Sequence, residues 1–197
     1  MLPLFVPAPP PAPPLLLARA GNEPGPEELL RAIAARRGSR ISPTSRNCLV
    51  SPFWQQDASG QQLTPRLLGS GSQIIWVGAA LPARITKAAT GMLEWVGTLQ
   101  PLNPLPTLTP GISYRFSVGS SISQTFRVAS TAEQQRLRSL LQPIERQRIA
   151  PAVQAQRKAA VLLREGFADD ALSTLWQAGL VPPEAQGPFL CSGSGDR

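Results

Sequence analysis

Between Cys48 and Val128 the chain never keeps an apolar run for longer than one strand, and this punctuation constrains the fold more than any other feature. The runs are Cys48 to Trp54, Leu63 to Leu68, Gln73 to Gly78, Ala83 to Lys87, Met92 to Gly97, Ser113 to Val118 and Gln124 to Val128. Turn formers separate them: Asp57-Ala58-Ser59-Gly60, Gly69-Ser70-Gly71, Pro82, Thr90-Gly91, Pro101 to Pro106 and Gly119-Ser120. A parallel sheet would need crossover helices between such runs, and there is no room for them. The spacing predicts an antiparallel β-sandwich of about seven strands over 46–128.

Helical signals flank this region, so the expected class is α+β: an antiparallel β-sandwich followed by a C-terminal α-helical hairpin. Before it, Pro26 sits at a first helical position, Glu27 and Glu28 favour the positive end of a helix dipole, and Gly38 is a stop, predicting a short helix over 26–38. After it, Ser130-Thr131-Ala132-Glu133 is a capping box that opens a helix, Pro143 is expected to kink it, and Pro151 restarts the chain. A further helix ends at Gly166, and another follows until Gly179, making a helical region over 130–181 with a helix pair at its end. One such pair cannot bury its own apolar face, so it is expected to dock on the sandwich or on a partner. Residues 182–197 read as a flexible tail, and 1–25, with Pro9-Pro10-Pro11 and Pro13-Pro14, as a leader or tether. For the leader two readings stand. Ala18-Arg19-Ala20 resembles a signal-peptidase site, whereas the proline cluster suits a polyproline II tether. No stretch is long enough and apolar enough for a membrane span.

Composition removes whole classes of chemistry. The chain has no histidine, which excludes Ser-His-Asp and Cys-His relays and histidine-ligated metals. The net charge of +7 rests on arginines scattered from Arg19 to Arg197, with no run beyond Arg36-Arg37, so a solvated basic surface is expected before a dedicated patch. Gly69-Ser70-Gly71 is not completed to a dinucleotide fingerprint, since Ile74 stands at the third glycine position. Asp169-Asp170 at a helix start read as caps rather than as a metal pair. Glu94 and Asp57 would have to converge to act as two hydrolytic carboxylates, and their spacing does not say that they do. No cofactor and no metal site is expected. Cys48 and Cys191 are too far apart for a compact zinc knuckle; a disulfide between them and two unpaired thiols stand as alternatives.

Two motifs carry resemblances. In Leu108-Thr109-Pro110-Gly111-Ile112-Ser113-Tyr114, the Pro-Gly pair makes a turn and Tyr114 is placed to fold over a sandwich corner and bond back to the upstream backbone. This run resembles the L-x-P-G-x-x-Y segment of fibronectin type III domains, and Trp76 stands where such domains put a core tryptophan. Gly166-Phe167-Ala168-Asp169-Asp170-Ala171-Leu172 resembles the turn of a tetratricopeptide helix pair, with Phe167 as the aromatic. Together, over about Asn47 to Leu180, they are similar to exported cyanobacterial proteins of unknown function that join an immunoglobulin-like domain to a tetratricopeptide-like hairpin. The resemblance implies a cell-envelope protein, periplasmic or secreted if the leader is functional and otherwise cytoplasmic, and carries no catalytic residues. The expectation is therefore a non-enzymatic protein-binding or scaffolding protein whose partner is another protein, with Trp54 the candidate contact and Trp95 and Trp176 in the core. Arginine-mediated binding of nucleic acid or acidic polysaccharide is the alternative.

Overall fold

The computed structural model describes residues 23–37, 48–53, 55–57, 59, 61–69, 71–119 and 122–183. In chain order the elements are α1 (Pro26–Ala35), β1 (Cys48–Ser51), β2 (Gln55–Gln56), β3 (Gln62–Leu63), β4 (Arg66–Leu67), β5 (Gln73–Val77), β6 (Pro82–Lys87), β7 (Leu93–Thr98), β8 (Leu102–Pro104), β9 (Ser113–Val118), β10 (Ile122–Val128), α2 (Thr131–Glu145), α3 (Pro151–Arg164) and α4 (Ala168–Gln177). The class is α+β.

The strands form a three-stranded sheet in the order β1-β5-β8, a five-stranded sheet in the order β4-β10-β9-β6-β7 and a small β2-β3 ladder. All pairings are antiparallel except that of β4 with β10. Leu67, Ile85, Tyr114, Phe116, Phe126 and Val128 of the five-stranded sheet share one apolar cluster with Leu49, Ile74 and Trp76 of the three-stranded sheet. Successive strand residues point to opposite faces. The alternate residues of the smaller sheet, Cys48, Val50 and Ile75, accordingly enter a second cluster with Leu30 and Ile33 of α1, Ala159 and Leu162 of α3, and Ala171 and Leu175 of α4. The three-stranded sheet is thus apolar on both faces, with the larger sheet on one side and the helices on the other. Each fully buried Leu, Ile or Phe contributes about 1.5–3 kcal/mol, so neither cluster is dispensable.

The local signals act as their chemistry requires. Ser130 Oγ accepts from the Glu133 amide at 3.3 Å, while Glu133 Oε2 accepts from the Ser130 amide at 2.8 Å, closing the capping box. Pro151 occupies the first turn of α3, and α2 runs through Pro143 to Glu145. Gly166 takes φ +84°, which ends α3 and lets α4 turn back along it. The N-terminal helix stops at Ala35, short of Gly38, because Arg37 leaves it to bridge Gln55. Around Pro65 the expected single run of Leu63 to Leu68 becomes two short strands that pair with different partners.

Candidate functional site

The densest polar cluster lies where α4 meets the strands. Its position follows from the Gly166-Phe167 turn, which directs the first turn of α4 at the three-stranded sheet. Phe167 is the residue before the helix and makes no side-chain cap. Asp169 and Asp170, next in line, are buried and reach across to the strands. Asp169 Oδ1 accepts from Ser51 Oγ at 2.8 Å and from the Phe53 amide at 3.0 Å, and its Oδ2 accepts from Gln55 Nε2 at 3.0 Å. Asp170 Oδ2 accepts from the Leu68 amide at 2.9 Å, and Oδ1 accepts from the Ser72 hydroxyl. The expectation that the pair caps its own helix is therefore corrected. Buried donors on the strands outcompete the helix amides, and the two carboxylates serve as latches between layers.

Burial pushes Asp169 up to about 7, against the hydrogen bond from Ser51 and with help from the neighbouring Asp170 charge. Burial likewise raises Asp170 to about 6, against the bonds from Ser72 and Leu68. Arg37 is the nearby countercharge. Its guanidinium stands 4.7 Å from the Phe53 ring centre, donates to the Val50 carbonyl at 3.3 Å, and is lowered by burial to about 10 although Asp169 works the other way.

Two more arginines tie the end of α3 to this region. Arg36 Nη1 donates to the Leu163 carbonyl at 2.7 Å and Arg66 Nη2 to the Glu165 carbonyl at 2.9 Å, placing positive charge where the helix dipole is negative. Arg66 also stacks 4.9 Å over the Phe167 ring and, with Arg127, holds Glu133 Oε1 at 3.1 and 2.7 Å. Burial alone would raise Glu133, but the Ser130 amide and hydroxyl together with Arg127 bring it down to about 2. The cluster can hold two layers together and take up protons near neutrality. Among the described residues no group of three or more His, Cys, Asp or Glu is placed to hold a metal ion.

The other sequence-derived residues are dispersed. Tyr114 is fully buried, stacks on Phe126 at 5.9 Å, and its Oη accepts from the Thr109 amide at 3.0 Å. Gly111 in the preceding turn has φ +80°. Trp76 is buried and donates through Nε1 to the Ala79 carbonyl at 2.8 Å. Trp95 and Trp176 are half-buried against the two clusters. Trp54 lies outside the described residues. Cys48 is buried and disulfide-bonded, and Cys191, the other cysteine of the chain, lies outside the described residues. Glu94 pairs with Lys87 at 3.1 Å, whereas Asp57 accepts from Ser59 and Gln61 in the β2-β3 turn, so each carboxylate has its own local partners. A hollow of about 290 Å³ opens beside α2 and α3, lined by Glu23, Ile144, Gln147, Arg157 and Ala160.

The sequence could not reveal the latch, because its partners stand 98 to 118 residues away along the chain. No protein-family model, curated protein or solved structure matches this chain. No helix among the described residues is long and apolar enough to cross a membrane.

Proposed function

We propose that this is a non-enzymatic protein-binding or scaffolding protein that takes up an extended segment of its partner along the edge of the five-stranded sheet. The observation that carries the reading is β7. Among the described residues it ends the sheet and pairs with β6 alone; Leu93 and Val96 within it are exposed to 55 and 63%, and Met92 just before it to 50%. Soluble chains commonly guard such an edge with charge or proline; the one charge on β7, Glu94, is taken up by Lys87, which leaves its exposed side apolar and suited to a peptide that adds a strand. The strand order, the Tyr114 bond back to Thr109 and the buried Trp76 support an immunoglobulin-like sandwich of the fibronectin type III kind. The Gly166 turn between α3 and α4 supports a tetratricopeptide-like hairpin, which in this reading stabilises the sandwich from behind. We place the protein in the cell envelope, periplasmic or secreted, and the bonded Cys48 supports an oxidising compartment.

Val96→Lys puts a charge on the edge without touching either core. In affinity capture from the native host, the expected result is loss of the bound partner with an unchanged melting temperature. An unchanged capture profile would remove β7 from the interface. Sequencing the N-terminus of the native protein tests the compartment, the expected result being a start near Gly21.

A further inference from the structure

The arginines that are scattered along the chain are brought into line by strand register. On the five-stranded sheet the residues facing away from the core are the alternates of Ile85, Phe116 and Phe126. Arg84 of β6 pairs with Ser117 of β9, and Arg115 of β9 pairs with Thr86 of β6 on one side and Thr125 of β10 on the other. Arg127 of β10 is opposite Ser113 and beside Arg66 of β4. Arg84, Arg115 and Arg127 are therefore diagonal neighbours across three strands, roughly 7–8 Å apart at their backbones, and Arg66 extends the line by one strand. The stripe has two halves. Arg127 and Arg66 share Glu133, whereas Arg84 and Arg115 are exposed and make no ion pair among the described residues.

We propose that this outer face is a binding site for an acidic polysaccharide, with Arg84 and Arg115 gripping its carboxylate or sulfate groups and the interleaved Ser and Thr hydroxyls meeting its sugar hydroxyls. The charge has the right sign and is uncompensated at the Arg84 end. The planar guanidinium fork matches carboxylate and sulfate oxygens in pairs. A diagonal row of charges across adjacent strands suits an extended chain. Single-stranded nucleic acid fits less well, because it calls for aromatic platforms on which bases stack, and no outward residue of β6, β9 or β10 is aromatic. The site borders the β7 edge, since Val96 and Leu93 stand opposite Arg84 and Thr86 on the same face, but it rests on the arginines and not on the protein-binding reading.

The test is titration of the full chain with polygalacturonate and with dextran sulfate, at low and at physiological ionic strength, beside oligothymidylate and a mixed-sequence duplex. The expected result is polysaccharide binding that weakens with salt and that drops about ten-fold or more in the Arg84→Ser/Arg115→Ser double variant. Arg138→Ser/Arg146→Ser, which removes the same charge from α2 and its C-cap, should stay within about two-fold of the wild type if the position of the arginines matters rather than net charge. Both positions of the sheet variant are exposed, so its melting temperature serves as the folding control. Equal loss in the two double variants, no binding at low salt, or tighter binding of either oligonucleotide than of the polysaccharides overturns the assignment.

Discussion

Asp169 and Asp170 link local chemistry to stability through the protons they hold. Their folded values of about 7 and about 6 stand above the ordinary 3.8, so between roughly pH 4 and 7 the folded chain binds more protons than the unfolded one. Stability contributed by the pair is therefore full below that window and falls as pH rises through it. Glu133 has the opposite sign. Held at about 2 against an ordinary 4.5, it stabilises the fold above that ordinary value and loses its contribution as pH falls towards 2. The two slopes place maximum stability at about pH 4 to 5, which melting temperatures across pH 3 to 8 will check. Asp169→Asn/Asp170→Asn should flatten the upper slope, and a slope that survives intact in that variant would assign it to other groups. Asp169→Ala, which strands three buried donors, should cost roughly 3 kcal/mol or more in denaturant unfolding. Tyr114→Phe removes a single bond, to the exposed Thr109 amide, and should cost only about 1 kcal/mol. Tyr114 could be placed from its own neighbours in the chain, because its bond spans five residues; the two aspartates could not, since acids at a helix start look like caps wherever they finally point.

At the level of elements, legibility follows how local the cause is. The capping box, the Pro151 restart and the glycine stop at Gly166 each act within one turn and are readable as they stand. The strand Leu102–Pro104 was not readable, because Pro101 and Pro104 count against a strand; it sits at the edge of its sheet, where a missing amide is tolerated. The β2-β3 ladder is glutamine-rich and two residues long on each side, too short to carry a period. Gly166 offers the sharpest test at this scale. Its positive φ disfavours any side chain, and a Cβ there would press on Arg66 Nη2, the group that holds the Glu165 carbonyl. Gly91, also at positive φ, has open space around it. Gly91→Ala should cost about 1 kcal/mol from backbone strain alone. Gly166→Ala should cost clearly more and should loosen the α3-α4 turn in amide exchange; equal costs would mean that Arg66 simply swings away.

Across the whole molecule, the two larger sheets and the helices share their apolar clusters and are not independent bodies. The sequence pattern separates them cleanly near Ser130, yet the second apolar cluster draws residues from both sides of that boundary. A fragment of residues 23–129 should consequently expose Val50 and Ile75 and bind a hydrophobic dye, whereas residues 23–183 should unfold in a single calorimetric transition. Two resolved transitions would contradict this coupling. The basic stripe is likewise a property of the assembled sheet: positions 66, 84, 115 and 127 share no local pattern and meet only through register.

The latch also bears on how the chain is made. Ser51, Phe53 and Gln55 leave the ribosome well before Asp169, which follows them by 114 to 118 residues. Until α3 and α4 emerge, the helix-side face of the β1-β5 pair has, among the described elements, α1 alone to cover it. A chain stopped before α4 would lack the partner for Ser51, Phe53 and Gln55 and leave part of the second cluster open to water, so it is expected to aggregate rather than to persist as a smaller domain.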